Sequence, residues 1–391
     1  MKCINEKKLE NLAKDFNVNK LLKHKGYQNK PLNFEEAYVL GAFTMAPYVK
    51  ELSGIFELPK ELIMLHSVVA LTKFHDHELY QREESAEQIA GICAAIFDYD
   101  IGVSKSGFLN PDVDEVIDNC GMGGDLYRTP NLSTIAALIA SADGVKMLKH
   151  GSPGNTDSVG SSDFLSYCGV NLFASKEEVE KGIAKFNFAY TDALDEHYKK
   201  IHTQTHGFAK LAHMNDIIGP ITNPVNPKYM KKRVIGINHL IPVERVAQAY
   251  QILNEKGITN VEHGLFIRGF ADQKRNGGID EISIMPGGSI VAELYHGDIK
   301  MYDLHAEDFG LEEISVGDLD PGTDKAETSR KILSGEIEGA QRDAALANTS
   351  ILLYLSKGLN FRDGTTKARE LLQSGKPYQV LCDYAKFSQE K

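Results

Sequence analysis

The sequence predicts an α/β protein with a small all-helical N-terminal domain and a larger α/β domain built on a mostly parallel sheet. At 391 residues the chain exceeds one average domain. Capping boxes and helical apolar stripes fill the first hundred residues, and from Val113 onward short β-like runs alternate with helical stretches. We place the helical domain at 1–110, completed by helices near 195–225, and the α/β domain at 111–194 and 226–391.

Three segments mark the helical domain. A capping box at Asn33–Glu36 leads into a helix over Ala37–Met45. Apolar residues recur at helical spacing along Glu61–Phe74. A second capping box at Ser85–Gln88 is expected to open a helix over Ile89–Phe97. Such helices could bury one side against each other and another against a partner subunit.

The α/β domain is read from alternating elements. The predicted strands are Val113–Asp118, Val145–Leu148, Val261–Ile267, Glu281–Met285 and Ile290–Leu294. The predicted helices are Ser133–Ala142, Lys176–Lys185, Val243–Glu255, Asp324–Leu333 and Gln341–Leu355. Strands that alternate with helices in this way favour a mostly parallel sheet covered by helices.

Composition excludes several function classes. The formal net charge of −11 disfavours nucleic acid as a partner, because phosphate-backbone binding needs a basic surface. Five scattered cysteines without a Cys-x-x-Cys pair indicate reduced thiols, and we read Cys120 as a small buried hydrophobe. No apolar run approaches membrane-spanning length, and no secretory signal opens the chain. We therefore expect a cytoplasmic protein with no membrane partner.

A glycine-rich run follows the first predicted strand of the α/β domain. It contains Gly121, Gly123, Gly124 and Asp125, and the next predicted helix starts within Asn131–Thr134. Glycines let backbone amides approach an anion without a Cβ in the way. A helix N-terminus adds unpaired N–H groups and partial positive charge. The run therefore indicates a phosphate-binding loop, and a tight turn that serves only the fold is the alternative.

The tripeptide Lys149-His150-Gly151 ends the next predicted strand. In an open α/β sheet, ligands bind at the carboxyl ends of strands, so this element and the glycine-rich run could face one crevice. Lys149 would supply a cation for a phosphate group, and a solvated lysine is the alternative. The polar run 152–163 that follows suits a loop around a ligand.

Two adjacent carboxylates, Asp280 and Glu281, follow a pair of glycines. Magnesium takes one or two carboxylates, several waters and substrate phosphate oxygens, so the pair is a candidate Mg²⁺ site. An acidic pair in a surface turn is the alternative reading.

Together these motifs resemble those of the anthranilate phosphoribosyltransferase family, glycosyltransferases grouped with the pyrimidine nucleoside phosphorylases. The resemblance covers roughly residues 30–385 and depends on the order of several short motifs. The matching segments are Gly121–Asp125, Asn131–Thr134, Lys149–Gly151, Gly160–Asp163, Gly219–Pro224 and Asp280–Glu281.

The resemblance implies transfer of a phosphoribosyl group from phosphoribosyl diphosphate (PRPP) to an aromatic nitrogen acceptor, with anthranilate, as in tryptophan biosynthesis, the nominal acceptor. It implies Lys149, Asp280 and Glu281 as catalytic residues, with Ser133, Asp280 and Glu281 as ligands of Mg²⁺ on the diphosphate. The residues it implies for the donor are Gly121, Gly123, Gly124, Asp125, Asn131, Ser133, Thr134, Lys149 and Gly151. It further implies a homodimer and an active site in the cleft between the two domains.

The acceptor side departs from the family pattern. The family arginine that pairs with the acceptor carboxylate corresponds to a position near Thr205, which cannot form a bidentate carboxylate clamp. We assign the acceptor to His150, Ser152, Thr205 and His206. A different nitrogen acceptor, a nucleoside phosphorylase and an inactive ligand-binding paralogue are the alternatives.

Overall fold

The chain divides into a helical unit and an α/β unit in a computed structural model, which describes residues 2–102, 107–154, 159–192, 197, 200 and 211–390. The helical unit comprises Met1–Phe108, Leu194–Val225 and Leu240–Asn260. The α/β unit comprises Leu109–Ala193, Asn226–His239 and Val261–Lys391. The sequence placed 240–260 in the α/β domain, and this is wrong because its helix packs within the helical unit.

Sixteen α-helices and eight strands form the described part of the chain. The helices are α1 Glu6–Asp15, α2 Val18–Leu21, α3 Phe34–Met45, α4 Lys60–Lys73, α5 His77–Tyr80, α6 Ser85–Ile96, α7 Leu132–Ala142, α8 Ser161–Tyr167, α9 Lys176–Phe186, α10 Asn215–Ile221, α11 Val243–Glu255, α12 Val316–Leu319, α13 Lys325–Leu333, α14 Ala340–Lys357, α15 Phe361–Gln373 and α16 Lys376–Ser388. The strands are β1 Ile117–Gly121, β2 Met147–Gly151, β3 Phe188–Asp192, β4 Lys232–Gly236, β5 His263–Phe270, β6 Gly278–Ile279, β7 Ser289–Tyr295 and β8 Asp298–Leu304. Within the described ranges, no helix has both the length and the apolar character of a bilayer span.

Helices α3 and α6 form the centre of the helical unit. The predicted capping box at the start of α3 is present: Glu36 N donates to Asn33 Oδ1 at 2.9 Å, and Asn33 N donates to Glu36 Oε2 at 3.0 Å. The two helices meet closely at Gly91, where a Cβ would lie 2.4 Å from Phe34 O. Both helices are buried along most of their length.

One of two further local predictions for the helical unit fails. Helix α6 begins at Ser85, so Ser85–Gln88 is its first turn and not a capping box before it; the Ser85 hydroxyl donates to Arg82 O at 2.7 Å. On α4 the predicted helix is present; Leu62, Leu65 and Val69 of its apolar stripe are exposed, with Leu65 57% exposed, while Ile63 and Phe74 are buried. Hydrophobic spacing alone did not show which face of α4 meets the core.

One eight-stranded sheet organises the α/β unit. Its order is β3-β2-β1-β4-β5-β7-β8, with β6 paired to β5. The strands from β3 to β5 run parallel, and β6, β7 and β8 add antiparallel pairings. The predicted α/β class with a mostly parallel sheet is confirmed. The predicted strand Glu281–Met285 is wrong, because the backbone of this segment bonds to side chains: Ile282 N donates to Asn348 Oδ1 at 3.0 Å.

Helix α7 is covered by other helices and therefore fixed at the sheet. It is buried from Thr134 to Ser141, and α14, α15 and α16 pack against it. A helix this apolar on every face is stable only in a protein core. Its N-terminus consequently lies at a defined place beside the carboxyl ends of β1 and β2.

A buried ion pair joins the three central strands. Asp118 on β1 and Arg233 on β4 are register partners, and Arg233 Nη2 donates to Asp118 Oδ2 at 2.8 Å. The other carboxylate oxygen accepts from the backbone N of His150 on β2 at 2.9 Å. Asp118 therefore fixes the relative register of the strands that end at Gly121, Gly151 and Gly236.

We expect Arg233→Met to lower the free energy of unfolding of the α/β unit by about 3–5 kcal/mol, because it leaves a buried carboxylate without its cation. Urea unfolding followed by circular dichroism measures this. Lys232→Met is the matched control, since the neighbouring Lys232–Glu115 pair is partly exposed and should contribute about 1 kcal/mol or less. Equal losses in the two variants would contradict the structural role of the buried pair.

Candidate active site

The glycine-rich loop begins where β1 ends. Gly123 and Gly124 have φ angles of 72° and 80°, which glycine adopts without the steric cost of a side chain. A Cβ on Gly121 would lie 2.1 Å from Asp280 Oδ2. The loop sequence therefore needs glycine for two reasons: its backbone conformation, and the close approach of the acidic pair.

The acidic pair is held directly against this loop and against the start of α7. Gly123 N donates to Asp280 Oδ2 at 2.6 Å, and Asp280 N donates to Asp125 Oδ1 at 2.7 Å. Ser133 N, in the first turn of α7, donates to Glu281 Oε1 at 2.9 Å. Residues about 150 positions apart in sequence therefore form one cluster.

Two residues that support this cluster were not assigned to the site from sequence. A Cβ on Gly236, at the end of β4, would lie 1.4 Å from Asp280 O. Asn348 on α14 bonds both the N and the O of Ile282, at 3.0 and 3.2 Å. A glycine at the end of a strand is a signal for close backbone approach and could have marked Gly236. Asn348 has no signal of its own; the sequence shows only that its segment, Ala340–Asn348, resembles the C-terminal half of the family.

Lys149 is a buried cation beside the start of α7. It is 1% exposed, and its Nζ donates to Asn119 O at 2.7 Å and to Ser133 Oγ at 3.4 Å. Asn119, also missed from sequence, donates through Nδ2 to Ser133 O at 2.7 Å. Lys149 and Ser133 therefore lie close together, as expected for two elements that face one crevice at the carboxyl ends of the strands.

The polar residues at the N-terminus of α7 contact neighbouring segments. Asn131 is the N-cap residue but makes no side-chain cap; its Nδ2 donates to Val159 O at 3.2 Å. The Thr134 hydroxyl donates to Ser161 Oγ at 3.1 Å, at the start of α8. A Cβ on Gly151 would lie 2.9 Å from Ser161 Cβ, so this glycine permits the close packing of β2 against α8.

The assigned acceptor residues are not brought together in the described part of the chain. His150 is fully buried, on the opposite face of β2 from Lys149, with Nδ1 4.0 Å from Asp118 Oδ2. Its imidazole is therefore not exposed in this structure, and its assignment to the acceptor stays a prediction. Ser152 is half-buried, and its carbonyl accepts from Ser162 N at 3.2 Å. Thr205 and His206 lie outside the described residues.

Burial and mutual repulsion raise the pKa values of Asp125 and Glu281. Burial raises the pKa of Asp125 well above its ordinary value, and the charges of Asp280 and Glu281 add to the rise. The pKa of Glu281 is raised to about 8, first by burial and then by Asp280. Burial also raises the pKa of the Cys120 thiol to about 12, so this cysteine is an inert core residue, as predicted.

The cluster fits a magnesium ion. Glu281 Oε2 is buried without a hydrogen-bond partner among the described residues, and a cavity of about 20 Å³ adjoins it, lined among others by Gly121, Ser133 and Asp280. No group of three or more His, Cys, Asp or Glu side chains in the described ranges has metal-binding geometry. Magnesium needs only one or two carboxylates when substrate phosphates and waters complete its shell.

Comparison with known proteins identifies the family. Residues 113–378 match the family model described as "Glycosyl transferase family, a/b domain". The anthranilate phosphoribosyltransferase of Pyrococcus abyssi is 34% identical over 304 residues, which cover 76% of this chain and 86% of that protein. The chain belongs to the anthranilate phosphoribosyltransferase family of glycosyl transferases. All described site residues lie within the matched segment.

Other relatives agree with this family. The anthranilate phosphoribosyltransferase of Shewanella denitrificans is 34% identical over 279 residues, 70% of this chain and 72% of that protein. The Thermus thermophilus enzyme structure superposes with a TM-score of 0.73 at 26% identity, covering 94% of this chain and 98% of that chain. The Saccharomyces cerevisiae enzyme, solved in complex with PRPP and Mg, shares the fold at a TM-score of 0.73 and 22% identity, with 98% of both chains covered.

The raised pKa of Glu281 predicts a pH dependence of the metal-free protein. Because the folded pKa of about 8 exceeds the ordinary value of 4.5, this group disfavours folding once it ionises. The free energy of unfolding should therefore fall as pH rises from about 5 to about 8, and Glu281→Gln should reduce that fall. Urea unfolding in EDTA measures it.

Glu312→Gln, which changes an exposed carboxylate, is the control and should keep the wild-type slope. A Glu281→Gln slope equal to that of wild type would show that this carboxylate is not strained in the folded state.

Proposed function

We propose that the chain transfers the phosphoribosyl group of PRPP to an aromatic amine, nominally anthranilate, with release of diphosphate. The observation that carries this proposal is the acidic pair Asp280–Glu281, hydrogen-bonded to the glycine-rich loop and to the start of α7. Membership in a family whose relatives are anthranilate phosphoribosyltransferases supports the same reaction. The buried Lys149 beside Ser133 adds the positive charge that a departing diphosphate requires.

The donor is assigned to the loop, α7 and the end of β2. A Cβ would meet open space at Gly123 and only an ordinary contact at Gly124, which leaves the loop backbone accessible to a bulky anion, and the N-terminus of α7 favours negative charge. The complete proposed set is Gly121, Gly123, Gly124, Asp125, Asn131, Ser133, Thr134, Lys149 and Gly151.

Asp280, Glu281 and the Ser133 hydroxyl are proposed to hold Mg²⁺ with the donor. When bound, magnesium supplies positive charge that neutralises diphosphate oxygens. The Gly123 and Ser133 amides hold the two carboxylates in place before any ligand arrives, since each donates to one of them. This orientation costs no reorganisation during the reaction.

The reaction breaks the bond between the ribose C1′ and a diphosphate oxygen, which leaves with the bonding electrons. The nitrogen lone pair of the amine forms the new bond to C1′, and the nitrogen then loses a proton. Positive charge develops on the ribose as the bond breaks, so the protein's main task is to stabilise the diphosphate and hold the amine in line. An aromatic amine is an unprotonated nucleophile at neutral pH, so Lys149 is needed for charge and not as a base.

The proposal also covers the acceptor, the subunit state and the cellular location of the protein. The absence of arginine near Thr205 supports testing other nitrogen acceptors beside anthranilate. We propose a homodimer, supported by the outward apolar residues Leu62, Leu65 and Val69 of α4, which are 41%, 57% and 45% exposed. A cytoplasmic location stays a prediction.

The direct test follows anthranilate fluorescence with PRPP and Mg²⁺. We expect the fluorescence to fall only when protein, PRPP and Mg²⁺ are all present. The reaction needs a diphosphate leaving group whose charge is neutralised and an acceptor held beside it. Diphosphate release should match anthranilate loss one to one. No loss with anthranilate, but release with another aromatic amine or nitrogen heterocycle, would reassign the acceptor and keep the donor chemistry.

The matched control is the double variant Asp280→Asn with Glu281→Gln, which keeps side-chain size and removes both charges. It should lose Mg²⁺-dependent PRPP binding, measured calorimetrically, with near-native circular dichroism. Unchanged PRPP affinity in excess Mg²⁺ would remove the acidic pair from the metal site.

A further inference from the structure

The side chain of Asn119, on β1, is buried with one polar atom unused. The residue is 5% exposed, and its Nδ2 donates to Ser133 O at 2.7 Å. A backbone carbonyl oxygen can only accept, so this contact fixes which side-chain atom is nitrogen and which is oxygen. The remaining atom, Oδ1, is buried and has no hydrogen-bond partner among the residues that the structure describes. A buried carbonyl oxygen of this kind is expected to meet a water molecule or an ion.

Glu281 is held by the same residue of α7. Its Oε1 accepts from Ser133 N at 2.9 Å, while its Oε2 is buried and, within the described ranges, without a partner. The backbone N and O of Ser133 therefore hold one side chain each. Each of these two side chains has one buried oxygen left to bind something else.

Asn119 and Glu281 line one small cavity. Its volume is about 20 Å³, and Ser133 and Asp280 also contribute to its wall. A water molecule needs about 10–15 Å³ of such volume, so the space suits one water. Magnesium in proteins usually keeps several of its water molecules, and each bound water has hydrogens that need acceptors. The cavity therefore offers a place for one water of an ion held by the acidic pair.

The other polar groups around this cavity already have partners. Lys149 Nζ donates to Asn119 O and to Ser133 Oγ. Asn348, which also lines the cavity, uses both of its amide atoms on the backbone of Ile282. Asn119 Oδ1 is consequently the amide oxygen of this lining that remains available to accept from a water molecule.

On the basis of the proposed function, we propose that Asn119 is a further residue of the magnesium site, where its Oδ1 accepts a hydrogen bond from a water molecule bound to the ion. Asn119 is then a positioning residue, because it touches neither the ion nor the donor. Groups that orient the ligands of a metal in this way commonly change its affinity by about 10–100-fold when they are replaced. In the sequence, Asn119 lies between the predicted strand and the glycine-rich run, and its place at the site is evident only from its contact with α7.

The test titrates Mg²⁺ calorimetrically into wild-type protein and into Asn119→Leu, each with a fixed concentration of PRPP. Leucine has a similar size and no acceptor, so the Mg²⁺ concentration at half-saturation should rise about tenfold or more. The affinity for PRPP in EDTA should stay at the wild-type value, which a general distortion of the donor site would not allow.

Asn119→Asp separates the two ends of the amide. It keeps an acceptor for the water but loses the donor to Ser133 O, so it should recover most of the Mg²⁺ affinity that Asn119→Leu loses. Equal losses in the two variants would assign the effect to the bond with Ser133 and overturn the proposal. Ser141→Ala is the control, because it removes a buried hydrogen bond of α7, to Ala137 O at 2.7 Å, from a residue that does not line the cavity. Its Mg²⁺ dependence should equal that of wild type.

A crystal structure of the wild-type protein with Mg²⁺ and PRPP tests the same contact without any substitution. We expect a water molecule bound to the ion and about 2.5–3.0 Å from Asn119 Oδ1. A well-ordered Asn119 without such a water, or Asn119→Leu with the wild-type Mg²⁺ dependence, overturns this inference alone. Wild-type protein that does not bind PRPP with Mg²⁺ overturns the proposed function and this inference with it.

Discussion

The contact between the acidic pair and the glycine-rich loop is the constraint on which the rest of the site depends. Asp280 approaches two strand ends so closely that neither Gly121 nor Gly236 could carry a Cβ without displacing it. The hydrogen bonds from Gly123 and Ser133 then orient the two carboxylates. The parallel strands, the register fixed by Asp118 and Arg233, and the burial of α7 all serve to hold these partners in place.

This arrangement stabilises a ligand at the expense of the ligand-free protein. Three carboxylates converge in a partly buried cluster, and burial with mutual repulsion raises the pKa values of Asp125 and Glu281. Lys149 offsets only part of this charge. A cation bound with an anionic donor would relieve the repulsion, so the strain of the free protein favours binding of the two together.

Elements with local signals were predictable from sequence, and elements that depend on distant contacts were not. Val243–Glu255 has the predicted bounds, and the capping box at Asn33 is present, because both depend on neighbouring residues. The strand predicted at 281–285 is absent, because the backbone of Ile282 bonds to the Asn348 side chain and not to a neighbouring strand. The alternation of apolar residues in this segment could not predict that distant contact. The glycine-rich loop, Lys149 and the acidic pair were selected from sequence, whereas Gly236 and Asn119 were found only once the strands were assembled.

The most direct measurement is a calorimetric titration of the wild-type protein with PRPP, first with Mg²⁺ and then with EDTA. We assign the acidic pair to a metal ion that arrives with the donor. We therefore expect saturable binding of one PRPP per chain with Mg²⁺ and binding weakened by at least about tenfold without it. Equal affinity in Mg²⁺ and in EDTA would contradict the central claim, because the converging carboxylates would then repel the donor they are proposed to help bind.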